Sequence, residues 1–465
     1  MFNKSIYIKR RQVLKSKFNN GILLFMGNNE SPMNYRDNTY HFRQDSTFLY
    51  YFGINVPTLS AIIDIDENRE IIFGAEMTLD ELVWMGRQES LKSKCEKCGI
   101  DEVQIPGALK SYVEQAEHRG RSVHFLPPYR ADNEIKLAAL LKIDIEELNT
   151  ASSVEFVKAV VSQRSVKSEE ELIEIDKAAS VSADIHLNVM QATRPGMYER
   201  EVAAAIHQAA LASGGNLAYP IILTVNGEIL HNHYQGNRLK EGQLVLNDSG
   251  VETAGGYASD LTRTFPVSKR FTIEQKDIYE IVLQAYRDAS AMLSPGTRYL
   301  DIHFQACKSL TLGLKALGLM KGNVEDAVAA GAHTLFFQCG TGHMMGLDVH
   351  DMEDLGEQYV GYSDKLKKNT SQFGLKSLRM GKELHPGYVV TVEPGIYFNK
   401  ELIDRYTASG LFSDFINYPA VEKFRNFGGV RIEDDFVIEE GGARMLGKHL
   451  ANTVSEIEDI RDSAF

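Results

Sequence analysis

The chain has 465 residues, 43% of them hydrophobic and 24% charged, a composition typical of globular proteins. Its formal net charge of -13 argues against a polyanionic partner, since phosphate binding needs clustered Lys and Arg, so no nucleic acid is expected. No apolar run reaches the roughly eighteen residues of a membrane span, and the basic start MFNKSIYIKRRQVLKSKF precedes no signal-length apolar segment, so the expectation is a cytoplasmic protein with no membrane contact.

Such a length predicts two domains, each with its own core. Between Gly21 and Gly74, the apolar runs GILLFM, STFLYYFG, SAIIDID and REIIFG alternate with turn residues and predict strands of a mixed sheet. The aromatic cluster Tyr40, Phe42, Phe48, Tyr50, Tyr51 and Phe52 reads as core of that sheet. Helical patterns follow around Thr78 to Met85 and Ile135 to Leu141, which gives an α/β domain over residues 1–165. Cys95 and Cys98 form a lone CxxC without a second ligand pair, read as two thiols near a turn, and four cysteines in all fit a reducing compartment.

VKSEEELIEIDKAASVSADIHLNVMQAT has acids in its first turn and apolar residues three and four apart, so a long helix opens the second domain, residues 166–465. That domain repeats itself. RPGMYEREVAAAIHQAAL and SPGTRYLDIHFQACKSL each set Pro-Gly before an amphipathic helix. EGQLVLNDSG and HPGYVVTVEPG share a glycine, an apolar strand and an acid, and the offset from Gly242 to Gly387 equals that from Asp248 to Glu393. Each half offers a second acid at another strand end, Asp260 in GYASDLTRTF and Glu433 in GGVRIEDDFVI. A pseudo-twofold would gather four carboxylates at its axis. Crowded and buried, they must either bind protons or hold cations, and oxygen ligands with one imidazole suit divalent ions such as Mn²⁺, Co²⁺, Fe²⁺ or Zn²⁺. In CGTGHMMGLDVHD the glycines at 340, 342 and 346 let the backbone pack closely around His343. One of His343 and His350 is a candidate ligand and the other a candidate substrate contact.

These residues resemble the aminopeptidase P and prolidase branch of the pita-bread metallopeptidases. LHNHY, LVLNDSG, YASDLTRTFP, GTGHMMGLDVHD, TVEPGIYF and GGVRIEDD carry the likeness in the second domain. RRQVLKSKF, YHFRQDSTFLYYFG and VWMGRQES resemble the creatinase-like domain that precedes it. The resemblance implies a mixed α/β (α+β) architecture: an N-terminal creatinase/aminopeptidase P-like domain and a C-terminal pita-bread domain with internal duplication. It also implies an Xaa-Pro aminopeptidase, a cytoplasmic homodimer or homotetramer acting on proline-containing peptides with two divalent ions, Mn²⁺ by expectation. Xaa-Pro dipeptidase is the alternative, and a non-catalytic protein-binding module a remote one.

The same resemblance assigns roles. Asp260 and Glu433 would bridge both ions, Asp248 would complete one site, and His343 with Glu393 the other. Glu393 would also move protons. His231 and His350 would contact the substrate near the scissile bond, while Arg379 and Arg431 would flank the proline side. Trp84 lies in a motif that reaches a neighbouring subunit's site. Cys339 departs from the family, where many members carry histidine, and stands as a candidate substrate contact. Residues 354–382, rich in charge, read as a surface insertion or lid.

Overall fold

The computed structural model describes residues 2–465, which divide into two compact units. The first holds residues up to Arg164 together with Met352–Tyr359. Its five-stranded sheet runs in the order Glu102–Gln104, Arg69–Phe73, Ser60–Asp64, Ile22–Met26, Val123–Phe125. The inner pairings are antiparallel and both outermost ones parallel, so the sheet is mixed. Ile22, Leu24, Ile62, Ile71 and Phe73 pack on one face against Leu109, Val113, Leu137 and Leu140, which come from helices Ala108–His118 and Ala131–Leu141.

STFLYYF is a helix, Ser46–Phe52, rather than the expected strand. Its aromatic residues favour strands by propensity, but Asp45 accepts a bond from the Phe48 N–H and Gly53 ends it with φ 64°. Those caps, with burial of Phe48, Tyr50, Tyr51 and Phe52, decide the outcome. The aromatic core is therefore a helix laid on the sheet: Phe52 and Tyr51 meet Phe25 of the strand Ile22–Met26 at 5.1 and 5.4 Å between ring centroids. Tyr40, 59% exposed, is not part of it. Cys95 and Cys98 sit buried on the helix Leu91–Cys98, where burial pushes their thiols up to about 12 and about 11 and keeps them protonated.

The second unit comprises Ser165–Asp351 and Val360–Phe465. It opens with the helix Glu169–Ala192, whose Ser168 and Glu171 form a capping box. The duplication is visible in backbone bonds. Gly196 (φ 93°) donates its N–H to Leu239 O and Gly296 (φ 84°) to Leu384 O, at 2.8 and 2.9 Å. Leu239 N–H returns to Met197 O and Leu384 N–H to Thr297 O. Each Pro-Gly turn thus ties the start of a helix, Glu199–Ala212 or Tyr299–Ala316, to the segment leading into a strand. Those strands are Leu244–Asp248 and Val389–Val392, each antiparallel to a partner, Thr262–Pro266 or Asp434–Glu439. Thr262 and Glu433 exchange backbone bonds of 3.3 and 3.1 Å, which joins the two halves at their centre.

The second acid of each half is not register-equivalent. Asp248 pairs with Thr262, whereas the register that pairs Val392 with Asp434 sets Glu393 against Glu433. Asp260 lies two residues before Thr262, ahead of its strand.

Candidate metal centre

Asp248 closes the strand Leu244–Asp248 and Glu393 follows the strand Val389–Val392, so both stand where a strand leaves its sheet. Glu433 falls between the strands Gly429–Arg431 and Asp434–Glu439. His343 is held from the opposite side by a loop threaded against Thr391. Thr391 N–H donates to His343 O at 3.1 Å, His343 N–H donates to Thr391 Oγ1 at 3.2 Å, and Glu393 N–H donates to Thr341 O at 2.7 Å. Only glycine fits at 342, where a Cβ would lie 2.2 Å from Tyr299 Oη and 2.3 Å from Thr391 O.

One ligand atom each from Asp260, His343 and Glu433 lies within 4.8 Å of the others, and all three residues are buried. His343 Nε2 is 3.3 Å from Asp260 Oδ2 and 3.9 Å from Glu393 Oε1. Its Nδ1 faces Met344 O at 3.1 Å, a contact that favours the tautomer with the proton on Nδ1 and the Nε2 lone pair turned toward the carboxylates. Asp248 joins the group through Tyr219, whose hydroxyl reaches Asp248 Oδ1 at 2.7 Å and also contacts Asp260 Oδ1. The Thr262 hydroxyl donates to Glu433 Oε2 at 2.7 Å.

Burial raises the pKa of all four carboxyls. Glu393 rises to about 8, and Glu433 goes well above its usual range, with the neighbouring carboxylates adding to the burial effect. Arg431, 4% exposed, contacts Asp248 Oδ2, donates to Thr262 Oγ1 and Tyr397 Oη at 3.1 and 3.0 Å, and lies 3.9 Å from Glu433. The buried Arg431 and the half-buried Arg379 face three buried carboxyls and the half-buried Glu393, which leaves a deficit of positive charge. An oxygen-rich set with one nitrogen suits divalent cations, so these residues fit a metal centre.

The centre lies in a cavity of about 210 Å³. His231, His350, Arg379, Arg431 and Cys339 line it with the five ligand candidates, and Pro220, Ile222, Leu230 and Val349 give it an apolar side. The His350 ring stands 4.2 Å from that of His343, edge to face at 67°. Burial pushes the half-buried Cys339 thiol up to about 12, so it faces the cavity protonated. Ser377 and Arg379 arrive on the segment 360–382, whose neck closes where the Gly381 and Lys382 N–H groups both donate to Gly361 O at 2.8 and 2.9 Å. Tyr362 Oη donates to Leu378 O across the same neck. Trp84 does not line the cavity: it belongs to the first unit, 86% exposed on the helix Leu79–Met85.

Tyr219, Thr262, Tyr397 and Ser377 escaped the sequence reading. A lone Tyr-Pro or Thr inside a strand carries no spacing that separates it from an ordinary core residue.

Residues 174–440 match Metallopeptidase family M24, and residues 7–124 match Aminopeptidase P, N-terminal domain. The chain belongs to metallopeptidase family M24. Within the family it is 31% identical over 446 residues to Xaa-Pro dipeptidase of Rattus norvegicus, covering 94% of this chain and 88% of the relative. With Xaa-Pro aminopeptidase of Escherichia coli it shares 30% over 470 residues, covering 98% and 97%. Among solved structures, the aminopeptidase PepP of Pseudomonas aeruginosa superposes with a TM-score of 0.82 at 28% identity, over 100% of this chain and 99% of that one. A zinc-substituted E. coli aminopeptidase P in complex with product gives 0.81 at 28%, with the same coverage. The expected resemblance and the two-part architecture, an aminopeptidase P-like first domain and a pita-bread second one, both hold. Among the described residues no helix is long and apolar enough to cross a membrane.

Proposed function

We propose that this M24 chain is an Xaa-Pro aminopeptidase that releases an N-terminal residue preceding proline, using two Mn²⁺ ions. In this reading Asp260 and Glu433 would serve both ions, Asp248 would hold one of them, and His343 and Glu393 would hold the other. The observation that carries it is the convergence on one cavity of the His343 imidazole, three buried carboxyls, Asp248, Asp260 and Glu433, and the half-buried Glu393. When bound, such a pair of divalent ions supplies a nucleophile at neutral pH and polarises the scissile carbonyl.

The chain's own groups account for the rest. The Glu393 carboxylate takes the proton of the attacking water and returns it to the departing proline nitrogen. His350 donates a hydrogen bond to the oxyanion, a contribution of a few kcal/mol, on the order of 3. The apolar side formed by Pro220, Ile222, Leu230 and Val349 receives hydrocarbon, while His231 orients the backbone and the half-buried Arg379 holds a downstream carbonyl or carboxylate. Arg431, bound to Asp248, offsets part of the negative charge of the ligand set. Cys339 serves as a small apolar contact. The chain works in the cytoplasm as a homodimer or homotetramer in this reading, with Trp84 contributing to a neighbour's site; Leu79, Val83 and Trp84, each at least 80% exposed on one short helix, support self-association.

A second reading, Xaa-Pro dipeptidase, is favoured by the rat dipeptidase's 31% identity over nearly the whole chain. A non-catalytic module is disfavoured by the complete donor set. Native mass spectrometry and metal titration test the shared core: two Mn²⁺ bound per chain and metal-dependent peptide hydrolysis are expected. A chain that binds none, or cleaves Xaa-Pro peptides equally well after chelation, would defeat the proposal.

A further inference from the structure

The loop from His343 to Asp351 carries both histidines of the centre and is braced from beneath by a buried ion pair. Lys167 Nζ lies 2.8 Å from Asp351 Oδ2, with each side chain 1% exposed. Asp351 directly follows His350. Its N–H donates to Met344 O at 2.9 Å, and that same carbonyl oxygen faces His343 Nδ1 at 3.1 Å. One acceptor thus ties the His343 imidazole to the backbone next to His350.

Packing around the pair is close. A Cβ at Gly346 would fall 2.6 Å from Asp351 Oδ2 and 2.8 Å from Lys167 Cε, so the loop bends over the ion pair at a residue without a side chain. Lys167 is itself anchored, since its N–H donates to Gly387 O at 2.8 Å, immediately before the strand that leads to Glu393. A buried pair of this kind is a poor source of stability, because both ions lose their water, but it is directional. It fixes where Asp351, and with it His350, can stand.

We infer that Lys167, through its ion pair with Asp351, is a positioning residue for catalysis, which sets the His350 imidazole over the centre without touching substrate. The inference rests on the reading of His350 as a substrate-facing donor. Lys167→Met removes the charge at similar volume, and Lys167→Met with Asp351→Asn removes both charges, so that neither member of the pair is left as a lone buried ion.

The test compares the two variants with the unaltered chain, each loaded with Zn²⁺ for NMR and Mn²⁺ for kinetics on an Xaa-Pro-Xaa peptide. Both should retain two metal equivalents. The single variant should melt lower, and the double variant should recover the melting temperature. In both, kcat should fall about tenfold or more with KM nearly unchanged, the pattern of an interaction that matters in the transition state. The His350 ring resonances, identified by their loss in His350→Ala, should shift or broaden in both variants. Recovery of kcat together with melting temperature in the double variant would overturn the inference and leave the pair a structural brace, as would His350 resonances unmoved in both. If the unaltered chain hydrolyses no peptide, the activity reading fails by itself, and the His350 resonances still decide whether Lys167 positions the ring.

Discussion

Tyr219 has one hydroxyl proton and two carboxylates within reach, Asp248 and Asp260. Because it orients two of the proposed ligands without being one, Tyr219→Phe should leave the fold intact and weaken Mn²⁺ binding about 10- to 100-fold, as calorimetric titration would show. Unchanged affinity would mean that the hydroxyl is idle. Asp260→Ala and Glu433→Ala should be far more severe: each removes a ligand proposed to serve both ions, so turnover and the second metal equivalent should disappear together. The four carboxyls also predict a pH dependence. Burial raises their pKa values in the folded, metal-free chain, so that chain holds protons which the unfolded chain gives up above about pH 4. This contribution to stability is present below the unfolded carboxyl range and is lost as pH rises through the folded values, with Glu393 at about 8. Calorimetry in chelator should therefore find a lower Tm at about pH 9 than at about pH 6, and the gain in Tm on adding Mn²⁺ should grow with pH. A metal-free Tm that rises over this range would contradict the electrostatic account.

At the scale of elements, the His343 loop depends on glycine to approach the strand Val389–Val392. Gly342→Ala would drive a methyl into Tyr299 Oη and Thr391 O, at a cost of about 1–3 kcal/mol of stability. Metal content should fall with it, because the strain falls on the backbone next to His343, a proposed ligand; chemical denaturation and metal analysis would check both. This part of the site was legible in the sequence, since three glycines flank two histidines within a short segment. The equal offsets between the half-domains were legible too, because the same turn, helix and strand had to be encoded twice. The pairing register was not: nothing in DLTRTF or VRIEDD tells that Asp260 precedes its strand while Glu433 faces Glu393. Propensity also misled at STFLYYF, where a capping aspartate and a left-handed glycine outweigh four aromatic residues.

At the scale of the whole molecule, resemblance identifies the first domain and gives Trp84 its expected role at a neighbouring subunit's site, while alternating apolar runs give the mixed sheet. The 86% exposure of Trp84, beside Leu79 and Val83, leaves an apolar surface on which the proposed self-association rests. Trp84→Ala should weaken subunit association or raise KM for longer peptides, with metal content unchanged; sedimentation and steady-state kinetics distinguish these outcomes from no effect, which would remove Trp84 from the functional account. The second unit carries the whole donor set and every residue lining the cavity, so the chemistry belongs to it. The central claim is that this cavity removes one residue ahead of proline from peptides longer than two residues. Mass spectrometry of products from matched Xaa-Pro and Xaa-Pro-Xaa substrates, incubated with the Mn²⁺-loaded chain, tests it most directly. Release of the single N-terminal residue from the longer peptide is predicted; cleavage confined to the dipeptide, or of neither, would contradict it.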